Sequence, residues 1–356
     1  MKNPFASTMK AARLMRKGRA LSAALVMQRA LMTPAKPAKK AAARKSATAK
    51  PARPAAPALP PRPLPGSFID GMFDSKHGAL RYKLYTPTGS ARRRLPLVVM
   101  LHGCSQTAGD FAAGTGMNRL ADELGVIILY PEQSGSANVA RCWNWHQPHN
   151  QVRGRGEPAM IADLTRHAIL LGRADPARVY IAGMSAGGVA AAIIAAAYPS
   201  LFVAVGVHSG LSCGAIDSLG DALAAMRGRP QALPSTARVT RPRPTILFHG
   251  DADKVVHPSN ADGFRALLER STAGPIVSQT RQGQSAGGRH YTRTEHRTAQ
   301  GEVMLESWTI HGSGHAWSGG LRSASYTDPA GPDASRAMLR FFLARRGKPP
   351  RPKASA

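Results

Sequence analysis

The segment Gly183-Met184-Ser185-Ala186-Gly187 places one serine between two glycines, each two positions away. Val179–Ala182 before it reads as a strand, and Gly187–Tyr198 after it reads as an Ala-rich helix. A serine at so sharp a strand-to-helix turn has its hydroxyl lifted out of the backbone, at a helix N-terminus. There the free amide groups and the helix dipole favour a developing negative charge. The glycines remove side chains that would collide in the turn. The plainer alternative is a Gly-Ser turn that only caps the helix. The strand and helix around Ser185 favour the nucleophile.

A serine hydroxyl is a weak nucleophile near neutral pH and needs a general base, which in turn needs an orienting carboxylate. Thr245–Phe248 reads as a strand that ends in His249-Gly250-Asp251-Ala252-Asp253-Lys254-Val255-Val256. In this H-G-x-x-D-x-x-V pattern Asp253 is the expected acid, Gly250 turns the chain, and Asp251 is expected to cap the turn. Val303–Ile310 reads as a strand followed by His311-Gly312-Ser313-Gly314-His315-Ala316-Trp317. The expected base is His315, on a glycine-flanked loop, rather than His311 at the strand end. Upstream, Val98–Leu101 runs into His102-Gly103-Cys104. The amide of Cys104 is the expected first oxyanion donor and that of Ala186 the second, with Gly103 allowing close approach and His102 packing the loop. The other histidines show no metal-ligand spacing, so no metal or organic cofactor is expected.

These residues need a scaffold that brings three distant loops to one place. Short apolar runs at Ala79–Tyr85, Leu95–Leu101, Val126–Tyr130, Arg178–Ala182, Phe202–His208, Thr245–Phe248 and Val303–Ile310 read as strands. Helical patterns lie at Thr115–Leu124, Glu157–Leu171, Gly187–Tyr198, Asn260–Ala273 and Asp333–Ala344. This alternation argues for an α/β domain with a mostly parallel sheet and helices on both faces. The continuously apolar runs Val98–Leu101 and Val126–Leu129 suit strands covered on both sides. The expected class is the α/β-hydrolase fold.

Composition separates that domain from its ends. The chain has 356 residues and a formal net charge of +28. Residues 1–65 carry 15 basic and no acidic side chains, and residues 345–356 carry 5 and none. This leaves +8 for residues 66–344, an ordinary globular balance, so the charge does not by itself make the chain a nucleic-acid binder. Met9–Met32 reads as a basic amphipathic helix, and Thr33–Pro65, with nine prolines, as a disordered Ala/Pro/Lys linker. The segment 1–65 could dock on an anionic or granule surface. The plainer alternative is a solvated tail with no specific partner, and apart from Phe5 the segment lacks the aromatic residues and the motifs of a specific nucleic-acid partner. Residues 345–356 are expected to be a disordered basic tail. No run of 18 apolar residues suggests a transmembrane helix. Ala20–Met27 follows a long basic stretch and is broken by Ser22, which is a poor signal peptide, so a cytoplasmic location is expected. Three cysteines do not make a disulfide scaffold. Cys104 and Cys142 could pair in an oxidising compartment, but without a signal peptide they are expected to stay reduced.

Residues 66–343 resemble the esterase family of poly(3-hydroxybutyrate) depolymerases, type 1 catalytic domain, within the α/β-hydrolase superfamily. The matching pieces are LHGCSQTA (101–108), YPEQ (130–133), CWNW (142–145), GMSAGG (183–188), HGDADKVVHPSN (249–260), GHAWSGG (314–320) and SYTDPAGPDAS (325–335). The resemblance implies a triad of Ser185, Asp253 and His315, with Trp143, Trp145 and Trp317 lining the rim of a substrate cleft, core aromatic packing being the equal alternative for these three. It implies hydrolysis of polyhydroxyalkanoate or related hydroxyacyl esters through an acyl-enzyme, and, the family being often secreted, an extracellular location as the alternative to the cytoplasm. Feruloyl or acetyl esters of polysaccharides are the enzymatic alternative, and a surface-binding protein using the basic segment is the non-enzymatic one.

Overall fold

A computed structural model describes residues 65–89, 93–212, 216, 218–229 and 243–347. The expected N-terminal helix and linker therefore lie outside the described residues, as do Cys213 and residues 348–356. Ten strands form one sheet in the order β1-β2-β4-β3-β5-β6-β7-β10-β9-β8. They are β1 (Ser67–Ser75), β2 (Gly78–Thr86), β3 (Leu97–Leu101), β4 (Ile127–Glu132), β5 (Val179–Met184), β6 (Ala204–His208), β7 (Thr245–Gly250), β8 (Val277–Gln284), β9 (His290–Arg297) and β10 (Val303–Ile310). The central six, β4 to β10 in that order, run parallel. The pair β1–β2 on one flank and the hairpin β8–β9 on the other are antiparallel.

Side-chain alternation along the strands sorts the apolar residues onto two faces. On one face Leu97, Val99, Leu101, Ile181, Val207 and Leu247 pack on α3 (Gly156–Leu171), α4 (Ala186–Ala197) and α6 (Asn260–Ser271). On the other, Val98, Met100, Ile128, Ala182, Ile246 and Phe248 pack on α1 (Ala108–Thr115), α2 (Met117–Leu124) and α7 (Ala334–Leu343). The remaining helix, α5, spans Leu219–Met226. A short parallel pair, β11 (Trp317–Ser318) and β12 (Thr327–Asp328), stands apart from the main sheet. This is the α/β-hydrolase architecture.

Two differences from the sequence expectation have local causes. The helix expected over Thr115–Leu124 begins at Met117, because Gly116 takes a left-handed conformation, φ 62°, and ends a preceding helix, α1, that was not expected. The tail expected to be free from Arg345 onward is anchored for its first three residues. Arg345 donates to the carbonyl of Val303 at 2.7 Å, Arg346 pairs with Asp175, and the Gly347 amide donates to Ala177 O at 2.8 Å.

Candidate active site

Ser185, His102, Asp253 and His315 all sit just beyond the C-terminal ends of parallel strands, β5, β3, β7 and β10 respectively. In open α/β sheets the loops leaving these ends form the functional crevice.

Ser185 occupies a strained turn between β5 and α4, with φ 54° and ψ −124°. A side chain in this region costs on the order of 1–3 kcal/mol and persists only where its surroundings enforce it. The enforcement is visible. The Ser185 amide donates to His208 O at 2.9 Å, and its carbonyl accepts from Val189 N at 3.0 Å. A Cβ on Gly183 would lie 2.3 Å from Gly187 O, and one on Gly187 would lie 2.2 Å from Leu101 O. The two glycines thus let the strand, the helix and the end of β3 close on one another.

Asp253 and His315 come together from loops after adjacent parallel strands. His315 Nδ1 lies 2.8 Å from Asp253 Oδ2, and the other carboxylate oxygen accepts from the amides of Val255 at 2.8 Å and Val256 at 3.0 Å. The Asp253 side chain is fully buried. Burial alone would raise its pKa, but the hydrogen bond and charge of His315, with a contribution from His249, hold it below the ordinary carboxylate range. A carboxylate facing Nδ1 fixes the proton there and leaves Nε2 as the basic nitrogen.

On the opposite side, His102 is fully buried, and burial pushes its pKa down. Its Nε2 accepts from the Gln133 amide at 3.1 Å, so Nδ1–H donates to Gly103 O at 2.8 Å. This is the loop-packing role expected of it. The Gly103 amide donates to Gln106 Oε1 at 3.0 Å and the Ser105 amide to Ala140 O at 2.7 Å. Among the described residues no acceptor is assigned to the intervening Cys104 amide, nor to the Ala186 amide in the first turn of α4.

Three findings correct the sequence expectations. Cys104 is joined to Cys142 by a disulfide, not reduced. The tryptophans expected at the cleft rim are buried: Trp143 is 0 % exposed, Trp317 1 % and Trp145 7 %. Trp143 donates its ring N–H to His102 O at 3.1 Å. Trp317 packs against Phe111 and His208 and donates to Ser335 Oγ. Finally, Asp251 does not cap its own turn but reaches across to His311 and Gly312 in the neighbouring loop.

Sequence reasoning also passed over His208. It is buried, with its pKa pushed down to about 3 by desolvation first and by the nearby His249 and His315 second. Its neutral ring accepts the Ser318 amide at Nε2, 2.9 Å away, while its own carbonyl holds Ser185 N. His208 therefore joins the nucleophile turn to the chain just after His315. The only signal in the sequence was its place at the end of a strand next to the nucleophile strand. Glu157 was also unforeseen. It is buried, which raises its pKa, and accepts from Gln133 and from the amide and side chain of Asn144, so it holds the loop after β4. Among the described residues no group of His, Cys, Asp and Glu side chains could hold a metal ion.

Residues 80–286, more than half of the chain, match the family model described as Esterase PHB depolymerase. The chain is 30 % identical over 254 residues to poly(3-hydroxyalkanoate) depolymerase C of Paucimonas lemoignei, covering 68 % of this chain and 60 % of that protein. It is 29 % identical over 195 residues to feruloyl esterase B of Neurospora crassa, covering 50 % of this chain and 65 % of that protein. Each match thus spans less than two thirds of the relative. Among solved structures, an acetyl xylan esterase from Aspergillus awamori superposes with a TM-score of 0.60 at 20 % identity, over 78 % of this chain and 99 % of that one, a likeness of fold. From the family match across β2 to β8, the chain belongs to the esterase PHB depolymerase family.

Proposed function

We propose that this protein is a serine esterase acting through an acyl-enzyme. Ser185 is the nucleophile, His315 the general base and acid, Asp253 the orienting carboxylate, and the amides of Cys104 and Ala186 the oxyanion donors. The observation that carries the reading is the 2.8 Å Asp253–His315 contact formed on the same edge of the sheet as the strained Ser185 turn.

In this reading Ser185 Oγ attacks the ester carbonyl while His315 Nε2 takes its proton. The tetrahedral oxyanion points at the two amides, each such donor being worth about 3–4 kcal/mol in the transition state. The leaving alkoxide takes the proton from His315. Water, deprotonated by the same imidazole, then attacks the acyl-serine and releases acid. Asp253 stays ionised and stabilises the imidazolium. The chemistry needs no metal or organic cofactor.

The favoured substrates are polyhydroxyalkanoates of the 3-hydroxybutyrate type or their oligomers, supported by the family match and the depolymerase relative. Feruloyl or acetyl esters of polysaccharide are the second reading, supported by the carbohydrate-esterase relatives. The Cys104–Cys142 disulfide favours work in an oxidising compartment over the cytoplasm expected from the sequence. Docking of residues 1–65 on an anionic or granule surface belongs to the same proposal.

The test is turnover of 3-hydroxybutyrate oligomers against feruloyl and acetyl esters, with Ser185→Ala as control. Oligomer hydrolysis that Ser185→Ala abolishes is expected. Release of acid from none of these esters by a folded wild-type protein refutes the esterase reading.

A further inference from the structure

The loops after β7 and β10 must stay in register if Asp253 is to hold His315, yet the loop carrying His315 has two glycines that give its backbone little rigidity of its own. Gly312 has φ 68°, and a Cβ on Gly314 would meet nothing within 4 Å. Two glycines flanking one residue leave a backbone with much freedom to lose. One side of this loop is gripped by Ser313, whose hydroxyl donates to Asp328 Oδ2 at 2.8 Å, a carboxylate also held by Arg289.

The other side is gripped by Asp251. Its Oδ1 accepts from the Gly312 amide at 2.7 Å, and its Oδ2 lies 2.8 Å from His311 Nδ1. His311 Nε2 in turn lies 2.9 Å from Thr292 Oγ1 on β9. The backbone adds two ties between the same loops, Asp251 N to Ile310 O at 3.2 Å and Ala252 N to Ser313 O at 3.1 Å. Asp251 thus ties the loop of the acid to the loop of the base: it stands two residues before Asp253, and its partner Gly312 stands three before His315.

We propose that Asp251 and His311 are positioning residues for His315. They form a clamp that fixes the 311–314 backbone and so sets where the imidazole lies relative to Asp253. The proposal rests on the reading of Asp253 and His315 as the charge-bearing pair of the esterase. Both side chains of the clamp are about two-fifths exposed, at 41 % and 42 %. A polar side-chain contact that exposed adds little to global stability. Its effect falls instead on geometry, where a misplacement of about 1 Å can cost on the order of a hundredfold in rate.

The experiment uses the full chain and a soluble aryl butyrate ester, with kcat, KM and Tm measured for Asp251→Ala and Asp251→Asn. Asp251→Ala is expected to lower kcat about tenfold and leave KM within about twofold, with Tm falling by no more than about 3 °C. Asp251→Asn is expected to recover most of the loss. Its Oδ1 can still accept from Gly312 N, and its Nδ2 can donate to His311 Nδ1 once that ring carries its proton on Nε2, facing Thr292. An Asp251→Ala variant with wild-type kcat overturns the clamp, and so does a rate loss that tracks a large fall in Tm. An asparagine variant as slow as the alanine one also overturns it, since charge and not tethering would then matter. A wild-type protein with no turnover sinks the esterase reading and the clamp together. Active wild type with an unaffected Asp251→Ala sinks the clamp alone.

Discussion

Replacing Cys142 by serine cuts the disulfide while leaving the Cys104 amide in the chain. The bridged residues are 38 positions apart. On the chain-entropy model a closed loop of that size stabilises the folded state by about 4 kcal/mol at 25 °C. For a domain of this size that corresponds to a fall in Tm of roughly 8–16 °C. The effect on turnover is expected to be much smaller. The oxyanion loop keeps its other ties: Ser105 N to Ala140 O, Gly103 N to Gln106, the His102 ring to Gly103 O, and Trp143 to His102 O. Full loss of one oxyanion donor costs about 10²–10³ in kcat; with these ties intact a loss of about fivefold or less is expected. Calorimetry of wild type, wild type with reductant, and Cys142→Ser reads the stability change. Alkylation and mass measurement under denaturing conditions read the thiols. Free thiols at both positions in the oxidised wild type, or a Cys142→Ser Tm within about 2 °C of wild type, would refute the reasoning.

Acid should destabilise the domain through two groups of the same sign. His208 has its pKa lowered from 6.5 to about 3, so its contribution is complete above pH 6.5 and drains as pH falls toward 3. Full protonation corresponds to on the order of 4–5 kcal/mol. Asp253, also lowered, loses its contribution at the acid end of that range. A His208→Gln variant should show a flatter stability profile between pH 6.5 and 4, and an identical slope contradicts this. Gly187→Ala should fail to fold stably, because its Cβ would sit 2.2 Å from Leu101 O; a soluble, active variant refutes the close approach. Trp317→Ala should cost about 3–5 kcal/mol, and a raised KM with unchanged stability would restore the cleft-rim role. Removing residues 1–64 should leave turnover of a soluble ester nearly unchanged, which a large rate loss on that substrate contradicts.

The parallel centre of the sheet was legible because both its faces are covered: Val98–Leu101 and Ile127–Leu129 are apolar without a break. The flanking hairpin β8–β9 was not. Its strands read VSQTRQGQ and HYTRTEHR, mostly polar, and β8 is exposed at every position but one, so no burial pattern marks them. Edge strand β1 escaped for a related reason, since its apolar residues Phe68, Ile69 and Met72 are all exposed and follow no alternation. At the proposed site, the placement of Ser185, Asp253 and His315 was legible because each follows a strand at a glycine-marked turn, and their catalytic roles belong to the proposal. His208 and Glu157 act through partners far away in sequence, which spacing does not encode. The tryptophans failed on a different ground. An indole can serve a core or a cleft equally well, and only the partners of its N–H decide. The disulfide joins residues after β3 and after β4, adjacent strands whose neighbourhood appears only once the sheet order is known.

The anchored residues 345–347 set the direction in which the molecule faces any support. Gly347 is tied to Ala177, just before β5 begins, whereas Ser185 lies just past its other end. A strand of 6 residues separates the two, about 20 Å. A tag, linker or bead joined after residue 347 therefore pulls on the floor of the sheet while the nucleophile turn looks away from it. Immobilisation through the C-terminus should leave the crevice open to polymer in solution or to an insoluble film laid against it.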